Sequence, residues 1–100
     1  MPENIVGGDA LSAMQKKDLI HRLARIEGQL RGIQKLIALA ERPADCDAVA
    51  QQMAAARKAL ERCFIGLLTS SVVNQSGNAR DLDEAQASTA RLAALLDKFA

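Results

Sequence analysis

The run Lys17–Ile37 constrains this chain more than any other stretch. Leu19, Leu23, Ile26, Leu30, Ile33 and Ile37 follow one another at spacings of four and three, so on a helix they form one apolar stripe. The charges lie between them. From Gln15 to Lys35 the cations Lys16, Lys17, Arg22, Arg25, Arg31 and Lys35 outnumber Asp18 and Glu27, a local excess of +4 in a chain whose formal total is +1. A helix with one apolar face and a basic remainder packs through the first and meets polyanions through the second.

A chain of 100 residues makes one small domain that buries a modest fraction of its surface alone, so oligomerisation is expected. Its 49% hydrophobic content is Ala, Leu, Ile and Val on helical spacings, with Phe64 and Phe99 the only aromatics. That is the make-up of a helical bundle or coiled coil. Without Trp or Tyr it offers no aromatic platform for stacking single-stranded nucleic acid. Two cysteines make no disulfide framework, the N-terminus lacks the basic start and apolar core of a signal peptide, and cytoplasm is the expected location. No apolar run approaches the roughly 20 residues a membrane span needs.

Along the chain, residues 1–10 read as a flexible arm and 11–100 as a single helical domain. The first helix begins near Leu11 or Ser12, with Ser12 as N-cap and Gln15 completing a capping box. Arg42-Pro43 stops it, because proline pushes the preceding residue out of helical geometry. The second starts at Asp45 or Asp47 and carries the seam Cys46, Val49, Met53, Ala56, Leu60, Cys63 and Leu67, with a second stripe of Phe64, Leu68 and Val72 alongside. Two stripes imply two partners, helix 1 of the same chain and a second protomer. This helix runs out in the turn formers Asn74 to Asn78, where Gly77 can take a left-handed C-cap. The third opens at Asp81, with Glu84 three residues on and Leu82, Ala85, Thr89, Leu92, Leu95, Leu96 and Phe99 on its apolar side. Gly28 and Gly32 each cost about 1 kcal/mol relative to alanine in mid-helix, which points to close approach of another backbone.

The cations of the first helix, joined by Arg57, Lys58 and Arg62 on the second, favour phosphate binding over a merely solvated surface. No helix-turn-helix spacing says which groove is met. Cys46 falls in the first turn of the second helix, where backbone N–H groups favour an anion, while Asp45 and Asp47 beside it act oppositely. Cys63 reads as core, and His21, alone among cations, as a surface or DNA-facing residue. A nucleophile needs a base and an orienter, and one histidine on a basic helix supplies neither, so no enzyme is expected.

The segment Arg22-Leu-Ala-Arg-Ile-Glu-Gly-Gln-Leu-Arg-Gly-Ile-Gln-Lys-Leu-Ile37 resembles the first helix of the copper-sensitive operon repressor family, which includes nickel/cobalt, formaldehyde and persulfide sensors. Cys46-Asp-Ala-Val-Ala-Gln-Gln-Met-Ala-Ala-Ala-Arg57, Leu60-Glu-Arg62 and Leu67-Leu68 continue the likeness, which covers roughly Lys16 to Leu96. The resemblance implies a three-helix protomer whose hairpins pair into an antiparallel four-helix dimer. It further implies a dimer of dimers on double-stranded operator DNA, released by an inducer at the helix 2 cysteine. Arg22 and Arg62 match basic positions associated with DNA binding, and Lys17 and Arg25 join them as candidates.

Departures from the family pattern bear on the inducer. Metal-sensing members complete their site across the dimer at positions that are Ser71 and Gln75 here, an alcohol and an amide beside the one retained ligand, Cys46. Such a set is a poor soft-metal site. Gln75 also removes the second cysteine of a persulfide cross-link. The tyrosine before the cysteine is Asp45, the helix 3 acid is Arg91, and three residues are inserted before Cys46. Formaldehyde-responsive members resemble this chain in pairing a proline after the initiator methionine with that cysteine, as Pro2 and Cys46 do. The resulting expectation is a homotetrameric cytoplasmic repressor, without a required cofactor, induced at Cys46 by formaldehyde with Pro2. Thiol oxidation or persulfide and an atypical Cu(I), Ni(II) or Zn(II) site follow. The reading from another class is a helical interaction module or constitutive DNA binder.

Overall fold

The computed structural model describes residues 10–78 and 81–99. They form three helices, α1 (Ala13–Leu39), α2 (Pro43–Asn78) and α3 (Leu82–Phe99), with no strand among the described residues. The helix starts follow from short polar side chains at their N-termini. At α1, Gln15 N–H donates to Ser12 Oγ at 3.1 Å and Ser12 N–H donates to Gln15 Oε1 at 2.7 Å, the reciprocal pair expected of this sequence. At α3, Glu84 N–H donates to Asp81 Oδ1 at 2.8 Å.

The start of α2 differs from the sequence expectation. Pro43 opens the helix, two residues before Asp45, because a first-turn proline forfeits only an N–H that has no intrahelical partner. Asp45 still caps, but from inside: its Oδ2 accepts from Glu41 N–H at 3.1 Å and Arg42 N–H at 3.0 Å. The N–H groups of Glu41 and Arg42 together hold the Asp45 carboxyl below its ordinary value of 3.8. The far end differs too. The helix continues through Asn74 to Asn78, and among the described residues no glycine takes a positive φ, so the left-handed cap expected at Gly77 is not used.

Two compact units divide the chain, Leu19–Phe64 and the remainder, 1–18 with 65–100. Within Leu19–Phe64, the short link Ala40–Arg42 folds α1 and α2 into an antiparallel hairpin. Its buried side chains are Ile26 and Ile33 from α1 and Val49, Ala56 and Cys63 from α2, with Ile33, Val49 and Ala56 forming one cluster. Within each helix these residues are seven apart. The alternate seam members, Leu23, Leu30 and Ile37 on α1 and Met53 and Leu60 on α2, are all at least two-fifths exposed.

Each seam is therefore split lengthwise, instead of facing one partner along its whole width. Positions seven apart return to almost the same side of a helix, while those three or four away lie about 40–60° round it. One antiparallel neighbour covers only the first set. The close approach expected at Gly28 and Gly32 is not made among the described residues of the protomer: a Cβ at either meets nothing within 4 Å. Gly28 lies about 200° around α1 from Ile26, away from the hairpin contact.

In the other unit, Leu68 and Val72 of α2 are half-buried and share a cavity wall with Leu92 and Leu95 of α3. Leu68 and Val72 of the second stripe thus have α3 as their neighbour, where the sequence pointed to a second protomer. No side chain described in this unit is fully buried.

Candidate functional site

The hairpin brings three of the four basic residues singled out in the sequence to one groove. Arg22, Arg25 and Gln29 of α1 and Ala59 and Arg62 of α2 surround about 360 Å³ above Ile26 and Cys63. Spacing explains the convergence. Arg22, Arg25 and Gln29 stand at i−4, i−1 and i+3 from Ile26, on one flank of the buried strip to which Ile26 belongs. Ala59 and Arg62 stand at i−4 and i−1 from Cys63 on α2, the matching flank.

Three permanently charged guanidiniums surround this groove and no carboxylate lines it. All three arginines are exposed, and they line the groove together with the buried Ile26 and Cys63. Planar multidentate donors around a shallow positive depression suit phosphate oxygens. Gln29 adds a neutral donor and acceptor that composition gave no reason to select; its helical spacing from Arg22 and Arg25 was the available signal. Cys63 is core as expected, 4% exposed, yet it forms the groove floor. Lys17 is exposed and belongs to the other unit, outside this lining. Arg57 and Lys58 are exposed and do not line the groove, and neither does His21.

Cys46 is an exposed free thiol in the fourth position of α2, its N–H donating to Arg42 C=O at 3.4 Å. Sixteen positions separate it from Arg62, about 24 Å along the helix axis. The candidate sensing residue and the basic groove thus occupy opposite ends of the hairpin segment of α2. Pro2 lies outside the described residues.

Ser71 and Gln75 are engaged with each other. Gln75 Nε2 donates to Ser71 Oγ at 2.9 Å, and Arg91 of α3 donates to the same oxygen through Nη2 at 3.4 Å. An alcohol, an amide and a guanidinium do not make a soft-metal donor set, because none offers a thiolate or imidazole and one carries positive charge. Among the described residues no group of three or more His, Cys, Asp or Glu side chains is arranged to hold a metal ion. No helix of the described residues is long and apolar enough to cross a membrane.

A helical hairpin with a groove edged by three arginines has the chemistry to meet a polyanion. The chain belongs to the metal-sensitive transcriptional repressor family, whose model matches residues 15–98. No curated protein and no solved structure matches the chain. The match spans all three helices, and with it the protein is a transcriptional repressor by family, a DNA-binding class and not an enzyme class.

Proposed function

We propose that this protein represses transcription by binding double-stranded operator DNA through the Arg22, Arg25 and Arg62 groove, with Lys17 as an outlying phosphate contact. The observation that carries this is the convergence of three guanidiniums on one groove whose lining has no carboxylate. Phosphate contacts of this kind supply most of the affinity and fix register, while base contacts set the sequence read.

The working assembly is a cytoplasmic homotetramer, a dimer of dimers. Among the described residues five apolar side chains are buried against fourteen large ones left exposed, and a second copy of the hairpin covers the exposed half-seam of Leu23, Leu30, Ile37, Met53 and Leu60. A matching half-seam on an identical chain is the natural partner for one of this length and spacing.

The inducer acts at Cys46, and formaldehyde is the leading one. The secondary amine of Pro2, freed when Met1 is removed, and the Cys46 thiol add to one aldehyde carbon. An N–CH2–S bridge forms and the carbonyl oxygen leaves as water. Holding an amine and a thiol together makes the trap far stronger than either group alone. Exposure of Cys46 supports this reading, as does the loss of soft donors at Ser71 and Gln75.

The test follows DNA binding and intact mass on the same samples. Wild type is expected to shift DNA from upstream of its own gene, then to release it on formaldehyde treatment with a gain of about 12 Da, one bridging carbon. Cys46→Ala should bind and never release. Release without the adduct, or with Cu(I) or a persulfide donor instead, would replace the aldehyde reading while leaving repression intact. Binding that no agent reverses would make the protein a constitutive binder.

A further inference from the structure

The cavity between the C-terminal half of α2 and α3 has a chemistry unlike that of the arginine groove. It encloses about 180 Å³, its walls come from leucine and valine side chains including Leu68, Val72, Leu92 and Leu95, and its polar edge is Ser71 with Arg91. At roughly 30 Å³ per water it holds the volume of about six waters, which suits a solute much smaller than a nucleotide.

The polar edge is built from donors. Ser71 Oγ accepts from both Gln75 Nε2 at 2.9 Å and Arg91 Nη2 at 3.4 Å, so its two lone pairs are occupied. Its hydroxyl proton has no acceptor among the described residues and is left to donate. Arg91 keeps its other N–H groups and its permanent charge, and no carboxylate lines the cavity. An edge with positive charge and spare donors, opening on apolar walls, calls for a ligand with one anionic end and a hydrocarbon body. An inorganic dianion would lose hydration against leucine and find a single guanidinium to replace it. A metal cation would meet like charge.

We propose that this cavity binds a small amphipathic monocarboxylate of about five to seven carbons, sized to the cavity volume. The carboxylate lies on Arg91 and Ser71 and the hydrocarbon between Val72 and Leu92. The cavity shares no lining residue with the arginine groove, and its existence does not depend on the DNA-binding reading.

Titration of the full chain with hexanoate, benzoate, acetate and sulfate, followed by backbone amide NMR shifts, tests this directly. Hexanoate or benzoate should saturate, with the largest shifts at Ser71, Val72, Arg91 and Leu92, and acetate and sulfate should bind at least tenfold more weakly. Arg91→Gln removes the charge from an exposed position and should weaken hexanoate tenfold or more, with helicity unchanged by circular dichroism. Val72→Phe should block the hydrocarbon end while retaining Arg91. The proposal is overturned by hexanoate binding equally to wild type and Arg91→Gln, by equal binding of sulfate and hexanoate, or by no saturable shift at these residues. Operator binding measured on the same variants reads the DNA assignment separately, so failure of one is distinguishable from failure of the other.

Discussion

The two halves of the hairpin seam are both apolar and have opposite surroundings. Ile26, Ile33, Val49, Ala56 and Cys63 are each 9% exposed or less, while Leu23, Leu30, Ile37, Met53 and Leu60 are 42% to 54% exposed. Three or four residues of helical rotation separate the sets. The buried half holds the protomer's own hairpin together; the exposed half is also apolar, and none of the described residues covers it. In this molecule, the side of the seam that an apolar residue occupies decides whether the protomer's own hairpin buries it.

The largest expected effect comes from charging the exposed half. Leu30→Glu combined with Leu60→Glu should turn the oligomer into monomers in sedimentation analysis and abolish operator binding, with helicity retained in the monomer. An unchanged oligomer would show that a different face mediates assembly. Next comes the buried half: Ile33→Ala should cost about 2–4 kcal/mol in urea unfolding, since Ile33 touches both Val49 and Ala56 in a cluster too small to close a cavity. A cost below that range would mean the hairpin draws its stability from elsewhere.

Gly28→Ala and Gly32→Ala sharpen the comparison from outside the seam. With open space at both positions, each should stabilise the Leu30→Glu, Leu60→Glu monomer by about 1 kcal/mol through helix propensity. A stabilisation confined to the monomer and reversed in the oligomer would reveal a backbone approaching this face only in the assembly. The smallest effect is electrostatic. The Asp45 carboxyl titrates below its ordinary 3.8 in the folded chain, so its contribution to stability is complete above that value and fades as pH falls through the lower folded one. Asp45→Asn should flatten the acid side of the melting-temperature profile and leave its slope near neutrality unchanged.

Much of this was legible in the sequence because helical periodicity is local. The stripe from Leu19 to Ile37, the Ser12–Gln15 box and the Asp81 cap each depend on residues within one or two turns. The start of α2 is not legible because Pro43 carries two meanings, a stop for the preceding helix and an opening for the next, and the three-residue link decides between them. Division of the seam was not legible, since it depends on how much of a stripe one neighbour covers. Arg22 and Arg62 could be singled out one at a time, but their meeting with Arg25 over Cys63 needed the antiparallel register of the hairpin. The Ser71–Gln75 pair was visible as an i, i+4 spacing; Arg91 joins it only because α3 returns alongside.

The salt dependence of operator affinity reads the arginine groove as the DNA-binding face without intermediaries. Fluorescence anisotropy across a range of salt concentrations should give a log–log slope for Arg22→Ala with Arg62→Ala that is flatter than wild type by about two units, one per lost phosphate contact. Affinity should fall with it, at unchanged oligomeric state. An unaltered slope and affinity in a correctly assembled double variant would contradict the account and move the DNA to another surface.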